Sequence, residues 1–122
     1  TPIAANEALS PDTCTPVVAN GRVFGAGSSL VCLNLADSLR SCWAVEDESL
    51  GSHASLIAAG PRLLLLSHRG ELLLLDTTKP QCEIVSRFRL TAEDDEIYAH
   101  PALVGSRLFV RDTASIVCYA LD

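Results

Sequence analysis

The chain has 122 residues, 48% of them apolar, which is enough for one small domain with its own core. Nine basic against fifteen acidic residues give a net charge of −6, which repels phosphate backbones and anionic lipid alike and argues against a nucleic-acid partner. The leucine-rich stretch at 62–76 is broken by Ser67, His68, Arg69 and Gly70, far short of the roughly eighteen apolar residues of a membrane helix, so no direct membrane insertion is expected.

The chain opens on Thr1, contains no methionine and shows no basic stretch followed by an apolar leader, so a piece of a longer protein is expected. Residues 1–14 are read as an N-terminal extension. From Thr15 onward the sequence repeats. "TPVVANGRVF" (15–24) aligns without gaps with "SLIAAGPRLL" (55–64) at an offset of forty, and with "HPALVGSRLF" (100–109) at an offset of eighty-five. Each copy reads as a small or polar residue, an apolar triplet, a turn, an arginine and an apolar pair.

A second segment follows in each copy: "VCLNL" (31–35), "LLLLD" (72–76) and "CYALD" (118–122). A third, "SCWAV" (41–45), recurs forty residues on as "QCEIV" (81–85). The segments are short and are separated by NG, GP, GS, RG and KP, which are turn punctuation and not helix interior. Strands therefore fit where helices do not. Residues 63–66 and 72–75 are predicted as adjacent antiparallel strands with 67–71 as the hairpin loop, and burial on both faces accounts for the missing polar alternation.

Units of about forty to forty-five residues, each a small antiparallel meander, are the pattern of propeller blades. The predicted fold is all-β, a partial β-propeller of about two and a half four-stranded antiparallel blades: blade 1 at 15–54, blade 2 at 55–99 and the first half of blade 3 at 100–122. An isolated partial propeller leaves sheet edges open, so self-association through open blade edges is expected. Arg22, Arg62 and Arg107 occupy one repeat position and are read as architectural.

The run of SP or TP before an apolar triplet, then "NGRVF", "GELLLLD", "SIVCYALD" and the "CW-x-V" of Cys42–Trp43, resembles the repeats of the PQQ-like, quinoprotein-type β-propellers, among which BamB-like members are not enzymes. The resemblance spans residues 15–122. It implies a radial array of four-stranded sheets without implying a cofactor. Quinone-using members need metal-binding carboxylates and a vicinal cysteine pair, and no two cysteines here are adjacent. The expectation is a non-catalytic binding or scaffold module that mediates protein–protein interaction, with no catalytic residue, cofactor or metal. The alternatives are a fragment of a PQQ-dependent quinoprotein dehydrogenase and the sensor ectodomain of a membrane receptor.

Cys32 and Cys42 lie at equal distances from Asp37, so a symmetric hairpin places them opposite each other, where a cross-strand disulfide fits. The corresponding pair in the second unit is read as Leu72 and Cys82, and Cys118 is the member in the third. The other reading is that all five cysteines are small buried hydrophobes. With the family resemblance, a disulfide implies a periplasmic or extracellular location.

His53 and His100 each sit just before the first strand of a unit and His68 sits in a hairpin loop, so the three are not expected to converge on a metal. The acidic run at 92–96 lacks the alternating ligand pattern of a calcium loop. It is read as a solvated connection that contributes a recognition loop through Asp94, Asp95, Glu96 and Tyr98. Trp43 is expected to pack between blades.

Overall fold

The structure is a computed structural model and describes residues 1–8, 14–51, 53–91 and 96–121. The described residues form eleven strands in three antiparallel meanders. The first sheet holds β1 (Val17–Ala19), β2 (Arg22–Ala26), β3 (Leu30–Asn34) and β4 (Arg40–Val45). The second holds β5 (Ala54–Ala59), β6 (Arg62–Ser67), β7 (Glu71–Asp76) and β8 (Ile84–Arg89). The third holds β9 (Ala102–Val104), β10 (Arg107–Arg111) and β11 (Ile116–Ala120).

Turn chemistry sets the register. Ala19 pairs with Arg22 across Asn20 and Gly21, and both turn residues have positive φ, 50° and 72°, as a two-residue hairpin turn matched to strand twist requires. The corresponding hairpins turn at Gly60 and Gly105, again with positive φ. Arg22, Arg62 and Arg107 then fall on one rung, facing Asn34, Asp76 and Ala120 across the next strand pair. Arg62 uses that position for an ion pair with Asp76 at 3.4 Å. Arg22 instead reaches the second sheet, donating to the backbone carbonyls of Thr77 and Lys79. Two of the three arginines serve architecture, Arg62 within a sheet and Arg22 between sheets.

The two leucine runs are β6 and β7, and the sheet they form is buried on both sides. Leu63, Leu65, Leu73 and Leu75 pack with Phe24, Ala26, Leu30, Cys32 and Trp43 of the first sheet. Leu64, Leu66 and Leu72 pack the other way, with Leu108 and Val110 of the third. A strand between two apolar layers has no polar side to show, which is why Leu63 to Leu66 are all 4% exposed or less. Among the described residues the third sheet has only one covered face: on β10, Leu108 and Val110 are buried while Arg107, Phe109 and Arg111 are exposed. Trp43 packs between the first two sheets, its ring 6.0 Å from Phe24 and tilted by 53°.

The expected Cys32–Cys42 opposition needs correction. Cys32 pairs with Trp43 and Leu33 with Ser41, so Cys42 is the extra residue of a β-bulge. The second sheet bulges at the same rung: Leu74 pairs with Ser86 and Leu75 with Ile84, which makes Val85, not Cys82, the structural counterpart of Cys42. The cysteines are free thiols in this structure. The bulge still leaves Cys42 beside Cys32, whose thiol is pushed up to about 12 by burial first and by Cys42 second.

Candidate functional site

Strand direction brings the starts of β1, β5 and β9, the β4–β5 and β8–β9 connections and the β6–β7 hairpin to one end of the sheets. There Thr15, His53, Ala54, Ser55, Tyr98 and His100 line an open cleft of about 360 Å³. Ser55 is buried in its floor, His53 is half-buried, and Thr15, Tyr98 and His100 are exposed at its rim.

The sequence did not require the histidines to converge, and the structure brings them together around Tyr98. Tyr98 sits between two of them, with its ring centroid 5.7 Å from His53 and 6.2 Å from His68, the latter pair stacked at 28°. The backbone fixes the arrangement. The His68 amide donates to the His53 carbonyl at 3.1 Å, and the Ile97 amide donates to the His68 carbonyl at 2.6 Å. Ile97 is itself buried among the second-sheet and third-sheet side chains, which anchors the segment that carries Tyr98.

Gly51 lets the His68 ring close in. A Cβ at position 51 would lie 2.7 Å from His68 Cε1, so the imidazole occupies a slot between the Gly51 backbone and the Tyr98 ring. His68 is buried and its Nδ1 has no hydrogen-bond partner among the described residues. Burial pulls the His53 pKa below its ordinary value, with the charges of His68 and His100 adding to the effect and a hydrogen bond to the Tyr98 backbone opposing it. Ser55 Oγ stands 3.4 Å from His53 Nε2. The cleft therefore presents hydroxyls, a phenol and an uncharged His53 at neutral pH. No group of three or more His, Cys, Asp or Glu among the described residues is arranged to hold a metal ion.

The β4–β5 connection is held by charge. Arg87 Nη2 pairs with Asp47 Oδ2 at 2.6 Å and Arg87 Nη1 pairs with Glu71 Oε1 at 2.7 Å, while Asp47 Oδ1 accepts from the Ser49 amide and hydroxyl at 2.9 and 2.7 Å.

Of the expected recognition loop, Tyr98 lies in the cleft and Glu96 is exposed two residues before it, while Asp94 and Asp95 lie outside the described residues. Sequence reading missed Thr15 and Ser55 as site residues, and weighed His53 and His100 only as metal ligands. A signal existed for both: Thr15 and Ser55 stand with His100 in the first column of the repeat alignment, so one repeat position supplies three lining residues.

No family model matches the chain, and no curated protein matches it. Solved structures do. A europium-containing methanol dehydrogenase superposes with a TM-score of 0.67 at 11% identity, over 87% of this chain and 22% of that one. BamB from Moraxella catarrhalis matches at a TM-score of 0.47 and 11% identity, over 89% of this chain and 50% of that one. The chain thus spans about a fifth and a half of these two proteins. The likeness is one of fold: three antiparallel sheets arranged as blades of a PQQ-type β-propeller.

Proposed function

We propose that this chain is a non-catalytic binding module, a section of a PQQ-like β-propeller that engages another protein through the cleft around Tyr98. The observation that carries this reading is one open cleft built by three separate segments, the lead-in to β1, the β4–β5 connection with the start of β5, and the β8–β9 connection, with a half-exposed tyrosine, 52% accessible, at its rim. Loops set on a rigid sheet scaffold are where recognition residues concentrate, and tyrosine combines apolar area with a polar tip. A periplasmic or extracellular setting belongs to the same proposal.

Copies of the chain also associate in this reading. β3 and β7 each have a fourth strand beside them, β4 and β8, whereas β11 has none among the described residues.

The test is site-specific photocrosslinking in the cells that produce the protein, with p-benzoylphenylalanine in place of Tyr98 and, as a control, in place of Lys79 at the opposite end of the sheets. A discrete protein adduct at 98 and none at 79 is expected. Absence of an adduct at 98, or saturable binding of pyrroloquinoline quinone to the chain, contradicts the reading.

A further inference from the structure

We propose that the cleft takes a cationic side chain, the guanidinium of an arginine or the ammonium of a lysine, projected by the protein partner. The inference rests on the binding reading above and gives the chemistry of its central contact.

Four features point to a cation. The lining offers the hydroxyl oxygens of Thr15 and Ser55, the imidazoles of His53 and His100 and the ring of Tyr98, and among the described residues it contains no lysine or arginine. The whole chain carries a net charge of −6, so its field draws cations inward. Glu96 is exposed two residues before Tyr98, at the end of the acidic run that begins at Glu93. Finally, a half-exposed tyrosine ring offers a cation an aromatic partner. A volume of about 360 Å³ accommodates one long side chain and its hydration.

The same geometry makes binding sensitive to pH. The titratable groups around Tyr98 are His53 from the β4–β5 connection, His68 from the β6–β7 hairpin, and His100 and Glu96 from the β8–β9 connection. Arg69 is exposed at the hairpin tip, next to His68. A neutral imidazole accepts a hydrogen bond from an ammonium or guanidinium, and a protonated one repels it. Burial first, and then the neighbouring imidazoles, favour the neutral form of His53, so its protonation on acidification turns an acceptor into a like charge.

The experiment is NMR shift mapping on the full chain with three capped probes, acetyl-Gly-Arg-Gly-amide, its neutral citrulline analogue and acetyl-Gly-Glu-Gly-amide, at pH 7.5 and 5.5. The arginine probe is expected to move the signals of His53, Tyr98 and His100 at pH 7.5, with affinity weakening by about threefold or more at pH 5.5. The citrulline probe should leave them in place.

Equal shifts from the citrulline probe, no shift from the arginine probe, or binding of the glutamate probe that strengthens on acidification would overturn the proposal. A photocrosslink at 98 combined with any of these outcomes keeps the protein-binding reading and removes only the cation.

Discussion

Arg87 grips Asp47 through two hydrogen bonds, 2.6 Å from Nη2 to Oδ2 and 3.1 Å from Nη1 to Oδ1, and so ties the outer strand of the second sheet to the connection leaving the first. The Arg87 guanidinium, with the Ser49 amide and hydroxyl, holds the Asp47 carboxyl well below the usual carboxylate range. A depressed carboxylate pKa stabilises the fold above the unfolded value of about 3.9, and this contribution disappears as pH falls through the folded value. Arg87→Ala is therefore expected to lower stability at pH 7 by about 1 kcal/mol, the scale of a partly exposed pair, and to flatten the loss of stability below about pH 4. Urea unfolding at pH 7 and pH 3 measures both effects. An unchanged acid slope in the variant would assign that slope to other carboxylates.

The doubly buried second sheet and the singly buried third sheet predict opposite sensitivities. Leu65→Ala removes a side chain only 1% exposed between two sheets and is expected to cost about 2–5 kcal/mol. Phe109→Ala trims a ring on the open face of the third sheet and should cost about 1 kcal/mol or less in the isolated chain. Native mass spectrometry adds the second half of the comparison. If copies cover the third sheet, Phe109→Ala shifts the population toward monomer while Leu65→Ala acts through stability.

Thiol reactivity should follow burial. Cys118 is exposed on β11, whereas Cys14 and Cys32 are buried and both have raised pKa values, Cys32 to about 12. Thiolate is the reactive form, so alkylation at pH 8 under native conditions should label Cys118 first and spare Cys14 and Cys32 until the chain unfolds. Peptide mass spectrometry after timed quenching gives the order. Purification without reductant tests whether Cys32 and Cys42 nevertheless form the disulfide expected from the sequence, since a disulfide leaves that pair unlabelled even after unfolding.

The sheets were legible in the sequence because turn chemistry and apolar runs are local. Asn20-Gly21 specifies its own hairpin, and eight leucines around one glycine-containing loop fit only a sheet covered on both faces. The bulge at Cys42 was not legible. A bulge shifts pairing by one residue without marking the sequence, so counting from Asp37 put Cys42 where Trp43 stands. The cleft was half legible: the repeat column of Thr15, Ser55 and His100 was in plain view, but a column says only that positions are equivalent. Their convergence depends on how adjacent sheets pack, and the stacking of His68 on Tyr98 depends on a hydrogen bond between residues 68 and 97, far apart in the chain.

The cleft's existence in solution is tested most directly by following the His53 ring signals through a pH titration, in the native chain and in His100→Gln. Because burial and the neighbouring imidazoles lower its folded pKa, His53 should titrate below about 6.5, and removing His100 should move it upward. The sign carries a stability consequence: the unfolded chain takes up the proton first, so this group has no effect on stability above about pH 6.5 and weakens the fold as pH falls below it. A His53 titration at or above about 6.5, unmoved by His100→Gln, would contradict the convergence around Tyr98 and with it the site on which the functional reading stands.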